Sequence, residues 1–146
     1  YIIRELIDFQ PESSTTDITK ALQYFTNVIK KRSTAFLISD FIDDHFSQDA
    51  LTIANRKHDL VAFQIYDRRD AELPDVGLIK MKDAETGERI WIDTSSRKVR
   101  MMYKNIWDER RLRLQQMISK AGVDSVTMEA SEDYVKALMR LFKMRT

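Results

Sequence analysis

Hydrophobic and polar positions follow one another along the chain in blocks that predict both strands and helices. The apolar runs 34–39 and 59–66 have the length and composition of strands buried in a parallel sheet, and 125–128 is a third candidate. Apolar residues recur at helical spacing in five segments, namely 1–8, 18–29, 47–57, 96–121 and a last one capped by Ser131. For that last helix we expect an inward face made of Tyr134, Val135, Leu138, Leu141 and Phe142.

Two more strands, 78–82 and 88–93, flank turn residues at 83–87 and predict a β-hairpin. Trp91 on this hairpin and Trp107 on the long helix are expected to pack together. The alternation of helices and strands predicts an α/β fold with parallel strands joined by crossover helices. A length of 146 residues fits one domain over 1–146.

Composition excludes several classes of function. The chain has no cysteine, so it has no disulfides, thiolate zinc sites or cysteine nucleophiles, and we expect a reducing, cytoplasmic location. Its three glycines cannot form a dinucleotide-binding or P-loop phosphate cradle. A net charge of +1 gives no electrostatic reason to bind nucleic acid, and no apolar run approaches the length of a membrane-spanning segment. We therefore expect neither nucleic-acid binding nor a membrane span in this chain.

Asp40 and Thr16 are the candidate site residues. Ligands of open parallel sheets bind outside the carboxyl ends of the strands, and Asp40 directly follows the most apolar strand. Thr16 precedes the second helix, and a hydroxyl with a carboxylate makes a hard oxygen site that suits Mg²⁺. In the simpler interpretation Thr16 is the N-cap of that helix, Asp17 lies in its first turn, and Asp40 caps a turn. The residues alone leave both interpretations open.

Six segments resemble the bacterial domain-of-unknown-function family fifty-eight. They occur in the family's order and spacing, at 16–22, 32–43, 58–62, 73–77, 83–87 and 121–124. That family is similar to the von Willebrand factor A domain, and its genes often accompany those of MoxR-type AAA+ ATPases. The resemblance implies a three-layer, Rossmann-like parallel sheet in which the hairpin is an insertion.

The resemblance also implies a divalent-cation site of the adhesion type. Such sites combine an Asp-x-Ser-x-Ser loop, a Thr from a second loop and an Asp after the fourth strand. By motif Thr16 matches the Thr and Asp40 matches the Asp, whereas the Asp-x-Ser-x-Ser element is absent from 1–146. The chain therefore resembles the C-terminal part of such a domain, about its last three strands. Mg²⁺ or Mn²⁺ is expected in the complete domain and not in this piece.

Two other groups of polar residues are weaker candidates for a metal site. The run 93–96 begins like the missing motif, but Arg97 occupies the position of its second Ser, so we interpret 93–96 as helix capping. His45 and His58 are not accompanied by a ligand pattern, and we expect His58 at a helix–strand junction without a metal role.

Three functions remain open. The first is a non-enzymatic protein-interaction module whose parent domain captures a partner's carboxylate through Mg²⁺ and works with a MoxR-type ATPase. The second is a Mg²⁺-dependent phosphoryl-transfer or receiver-like domain centred on Asp40; it is disfavoured because Phe41 and Ile42 replace the expected motif and Thr16 precedes Asp40. The third is a structural fragment that self-associates, because loss of upstream strands would leave strand 34–39 as an open edge.

Overall fold

Six helices and five strands alternate along the residues that the computed structural model describes, which are 2–10, 15–43, 45–82 and 87–145. In chain order they are α1 (Ile2–Asp8), α2 (Ile18–Val28), β1 (Thr34–Ser39), α3 (Gln48–Lys57), β2 (Asp59–Tyr66), α4 (Arg68–Ala71), β3 (Leu78–Lys82), β4 (Arg89–Asp93), α5 (Arg97–Lys120), β5 (Asp124–Glu129) and α6 (Tyr134–Met144). The predicted α/β class is confirmed. The four-residue helix α4 was not expected, because a single turn shows no hydrophobic periodicity.

The parallel sheet has the strand order β1-β2-β5, and a separate antiparallel pair joins β3 to β4. Phe36 lies opposite Val61, and Phe63 lies opposite Val126. Strand β2 is therefore central, and burial on both of its faces explains its continuous apolar sequence. The three parallel strands and the hairpin are as predicted, although the hairpin's turn at 83–86 lies outside the described residues.

Helices cover both faces of the sheet and give three layers. One core lies between the sheet and helices α2, α3 and α5, and includes Leu22, Leu51, Leu60, Ala62 and Ile118. The other lies between the sheet and α6, and consists of Val61, Phe63, Val126, Met128, Ala137 and Leu141. Successive residues of β2 thus enter opposite cores, as the period of a strand requires.

The buried face of α6 differs from the predicted one. Tyr134, Val135 and Phe142 were expected to point inward, but they are 65%, 50% and 55% exposed. Leu141 is fully buried as predicted, and Ala137, which was not part of the predicted face, is fully buried as well. A small residue at position 137 lets the helix approach the sheet closely, and this orientation turns the larger apolar side chains towards solvent.

Two helix caps also differ from the prediction. The N-cap of α2 is Asp17, not Thr16, and its carboxylate accepts a hydrogen bond from the Lys20 backbone N–H at 2.8 Å. That hydrogen bond lowers the pKa of Asp17. The N-cap of α6 is Asp133, not Ser131, and it accepts from the N–H of Val135 at 2.9 Å. In both helices a carboxylate binds the unpaired amides and complements the positive end of the helix dipole.

The long helix α5 ends where its glycine was predicted to end it. Gly122 has φ +67°, and its N–H donates to the carbonyl of Ser119 at 3.0 Å. The N–H of Val123 donates to the carbonyl of Ile118 at 3.1 Å, so the pair forms a Schellman motif. No helix within the described residues combines the length and apolarity needed to cross a bilayer.

The two tryptophans do not pack together as expected. Trp107 lies on α5 with its ring centre 5.4 Å from that of Tyr66. Trp91 is 63% exposed on the hairpin, where the Lys80 ammonium lies 5.5 Å from its ring centre. The hairpin therefore projects its indole towards solvent, and a cation covers part of the ring.

Candidate functional site

Asp40 occupies a tight loop at the carboxyl end of β1. Its exposed carboxylate accepts a hydrogen bond through Oδ1 from the Ile42 N–H at 3.1 Å and another from the Ser39 hydroxyl at 3.4 Å. Phe41, between them, has a left-handed backbone with φ +59°. Asp40 therefore caps its own turn. In the described part of the chain, its Oδ2 accepts no hydrogen bond.

The beginning of α2 is attached to the same loop. Asp43 accepts the Ile18 N–H through Oδ2 and the His45 N–H through Oδ1, both at 2.8 Å. Thr19 donates its hydroxyl to the His45 carbonyl at 3.1 Å and accepts the Ser47 N–H at 2.9 Å. These hydrogen bonds bring the segment around Thr16, two residues before Ile18, to the carboxyl end of β1.

The donor atoms near this loop fit part of a Mg²⁺ or Mn²⁺ site. Thr16 and Asp40 are exposed, and their hydroxyl and carboxylate oxygens are of the hard type that Mg²⁺ prefers. Both Asp43 carboxylate oxygens accept backbone N–H groups, so Asp43 acts as a structural residue here. The described residues contain no group of three or more His, Asp or Glu side chains suited to a metal. Two protein oxygens are a fraction of the roughly six that Mg²⁺ coordinates.

Sequence reasoning missed the role of Asp43. Its distance of three residues from Asp40 was visible, but its bond to Ile18 joins residues 25 positions apart. An acidic residue shortly after a strand-end Asp is compatible with solvation, capping or tethering, and only the fold distinguishes these roles.

A small cavity lies where the Asp40 loop packs on α5. Its volume is about 170 Å³, and its lining includes Phe41, Phe46, Arg110, Arg113 and Met117. Ligand pockets occupy about 300–1,000 Å³. The cavity is thus too small for a metabolite. It is a gap between the Asp40 loop and α5 and not a ligand pocket.

The other candidates from the sequence have structural roles. His58 caps the end of α3 at the start of β2, as predicted, with its ring centre 4.5 Å from that of Phe25. It is fully buried, and both ring nitrogens lack a hydrogen-bond partner among the described residues. His45 contributes backbone hydrogen bonds to the loop after β1. The absence of a metal role for either histidine stays a prediction.

The run 93–96 forms the junction between the hairpin and α5. Asp93 accepts the Ser95 N–H at 3.0 Å and the Ser95 hydroxyl at 2.5 Å, which lowers the pKa of Asp93. Thr94 is fully buried. Ser96 occupies the N-cap position of α5 but makes no side-chain cap bond. The expected capping is therefore a turn closed by Asp93, and the hydroxyl of Ser96 contributes nothing to it.

Comparison with known proteins places the chain in a family. The family model described as "Protein of unknown function DUF58" matches residues 1–113. An uncharacterised protein of Mycobacterium avium is 28% identical over 131 residues, covering 88% of this chain and 76% of the relative. Uncharacterised proteins of Mycobacterium tuberculosis and Mycobacterium bovis are 32% identical over 77 residues, covering 53% of this chain and 24% of each relative.

The matched region is about a quarter of the length of the Mycobacterium tuberculosis and Mycobacterium bovis relatives. The activity of a whole protein of that length therefore does not follow from this chain. No solved structure matches the chain significantly. The family model covers well over half of the sequence, and the segments that resembled the family lie mostly inside its range. The chain belongs to the DUF58 family.

Proposed function

We propose that the chain is part of a von Willebrand factor A-like protein-interaction module. In the complete module, Thr16 and Asp40 would supply two oxygen ligands to a Mg²⁺ or Mn²⁺ ion that binds a carboxylate of the partner protein. The role is binding and not catalysis. The sequence resemblance favours a MoxR-type AAA+ ATPase as the partner.

The observation that supports this proposal best is the attachment of α2 to the loop after β1. Asp43 joins Ile18 to this loop at 2.8 Å, and Asp40 lies three residues before Asp43. The hydroxyl and the carboxylate that the resemblance selects thus belong to segments that meet at one end of a parallel sheet. That end is where ligands of open α/β sheets bind.

The proposal is tested by titrating the chain with Mn²⁺ and following both calorimetry and the Mn²⁺ electron paramagnetic resonance signal. We expect at most weak residual binding by this piece, with a Kd no lower than about 1 mM, because two protein oxygens leave most of the coordination shell to water. The longer Mycobacterium tuberculosis relative should bind at least about tenfold more tightly, a difference of about 1.4 kcal/mol.

Substitutions locate the ion. Asp40→Asn and Thr16→Ala should remove the weak binding, whereas Asp67→Asn should not. Asp67 is a matched control, because it also follows a strand directly and its helix cap tolerates Asn. Tight binding by the short chain equal to that of the longer relative would contradict an incomplete site. Binding that persists in Asp40→Asn would contradict its location.

Self-association through β1 is a second candidate function that one feature favours. Ser33 and Tyr66 direct their carbonyl groups to the neighbouring strands β2 and β5, which fixes the alternation along each strand. It follows that the backbone N–H and C=O groups of Thr34, Phe36 and Ile38 point away from β2, at the edge of the sheet. Phe36 and Ile38 are also 48% and 62% exposed. An apolar edge of this kind pairs readily with another strand.

The neighbouring flank of α6 extends this apolar surface. Arg140 donates to the Thr127 carbonyl at 3.3 Å, on the side of β5 that faces away from β2. The opposite flank of α6, which carries Val135 and Phe142, therefore lies on the side towards β1. Two copies paired edge to edge would bring both flanks together and would bury apolar surface as well as strand amides.

Light scattering across a concentration series tests this second candidate. We expect a dimer, and Ile38→Lys should make it monomeric because a charge on an edge strand prevents pairing. Ile53→Lys is the control, since Ile53 is 58% exposed on α3, away from this edge. A monomer whose residue 34, 36 and 38 amides exchange slowly with solvent would contradict pairing through β1.

A further inference from the structure

A groove on the hairpin side of the structure has no role in the proposed cation site. It runs between β3 and the segment formed by α4 and the loop after it, with a volume of about 680 Å³. Its apolar lining consists of Leu73, Pro74, Val76, Ile79 and Met81. Its polar lining consists of Arg68, Arg69 and Glu72. This volume lies within the range of small-molecule ligand sites.

One wall of the groove is an apolar sheet face that the described residues cover only in part. Ile79 pairs with Ile92 and Met81 pairs with Ile90, so all four side chains share one face of the two-stranded sheet. Ile90 is 59% exposed. Isolated two-stranded hairpins are marginally stable in water, and an apolar face of this kind gains stability from a covering segment.

The base of the hairpin is held firmly, so the groove is formed before a ligand binds. The Thr94 hydroxyl donates to the Gly77 carbonyl at 2.6 Å and accepts the Val76 N–H at 3.1 Å. Arg100 donates to the carbonyls of Thr94 and Ser95 at 2.5 and 3.0 Å and pairs with Asp75 at 2.9 Å. Pre-formed walls reduce the ordering cost of binding.

The charge at the groove selects the kind of ligand. Arg68 and Arg69 are exposed, and neither has a carboxylate partner within the described ranges of the chain. The acidic residue of the lining, Glu72, is already 3.5 Å from the Lys104 ammonium. The groove therefore presents an apolar floor next to two cationic side chains, which is complementary to apolar side chains accompanied by a carboxylate.

We propose that this groove binds an acidic, apolar peptide segment of a partner protein. The apolar side chains would lie against Val76, Ile79 and Met81, and a carboxylate would pair with Arg68 or Arg69. This binding needs no metal ion, so it is independent of the site proposed at Thr16 and Asp40.

Selection from a displayed library of random heptapeptides, carried out on the immobilised chain in EDTA, tests the proposal. We expect enrichment of peptides that combine Asp or Glu with two or more large apolar residues. Synthetic copies of them should shift the backbone NMR signals of Val76, Ile79 and Met81. The double variant Arg68→Gln/Arg69→Gln should weaken their binding about tenfold or more, because it removes both cations that would pair with the peptide's carboxylate.

Matched variants separate specific recognition from general charge effects. Arg4→Gln/Arg56→Gln changes the net charge equally at exposed positions on α1 and α3 and should leave peptide affinity unchanged. Val76→Ser should weaken binding without a change of charge. Enrichment of basic or uncharged peptides, no enrichment, or equal weakening by both double variants would each overturn the proposal. Loss of Mn²⁺ binding in Asp40→Asn would leave peptide binding intact.

Discussion

Replacing Thr94 with valine removes one hydroxyl group from a fully buried position and should loosen the base of the hairpin. The hydroxyl lies 2.6 Å from the Gly77 carbonyl and 3.1 Å from the Val76 nitrogen. The Gly77 carbonyl would keep its bond from the Thr94 N–H at 2.9 Å, whereas the Val76 N–H would lose its partner. One lost hydrogen bond and one unpaired donor together cost about 2 kcal/mol.

Urea denaturation measures this loss. With a urea slope of about 2 kcal/mol per M, the midpoint of Thr94→Val should fall by about 1 M. Thr94→Ser is the matched control, because it keeps the hydroxyl and loses one buried methyl group, at a cost of about 1 kcal/mol. Hydrogen exchange of the Val76 amide should accelerate in Thr94→Val alone. A valine variant as stable as the serine variant would refute the reasoning.

Three further substitutions test other parts of the fold. Arg145 binds Asp59 and Asp124, and its hydrogen bond lowers the pKa of Asp59. The stability that this ion pair contributes is therefore present above the unfolded Asp pKa of about 4 and is lost as the pH falls below it. Because solvent screens these part-exposed groups, Arg145→Met should lower the free energy of unfolding by only about 1 kcal/mol at pH 7. The difference from the unchanged protein should become smaller at acid pH, as measured by unfolding followed by circular dichroism. Gly122→Ala should cost about 1 kcal/mol of thermal stability, because φ is +67° and a Cβ would meet only ordinary contacts. His58→Met should leave the free energy of unfolding in urea unchanged or raise it by up to about 1 kcal/mol, because it removes two buried ring nitrogens without a hydrogen-bond partner among the described residues. A loss above about 2 kcal/mol would contradict the absence of such partners.

Strand positions could be predicted from the sequence because burial shapes composition locally. Strand β2 is buried along 60–64, and its continuous apolar run, 60–63, covers all of that stretch except Gln64. Strand β1 has a similar composition, yet Phe36 and Ile38 remain half-exposed. Which strand pairs with which depends on contacts between distant residues, so a local pattern predicts a strand without predicting how deeply it is buried.

Helix faces and loop tethers were harder to predict for a related reason. The apolar residues of α6 form two overlapping stripes, and close packing selected the one with Ala137 over the one with Val135. At the candidate site, Asp40 was identified from its place after a strand. The tether by Asp43 was not, since a carboxylate reveals its partner only after the chain has folded.

Phe41 makes the loop of Asp40 dependent on the hydrophobic core. Its left-handed backbone, with φ +59°, would suit glycine, while its 9% exposed ring packs 5.7 Å from that of Phe46. Glycine would relieve the backbone but leave the ring's space empty, and a β-branched residue would fill the space at a backbone cost. Few amino acids satisfy both demands. Among homologous sequences, position 41 should therefore vary less than its exposed neighbours Asp40 and Ile42. Substitutions in the core around Phe41 should change the geometry of the Asp40 carboxylate.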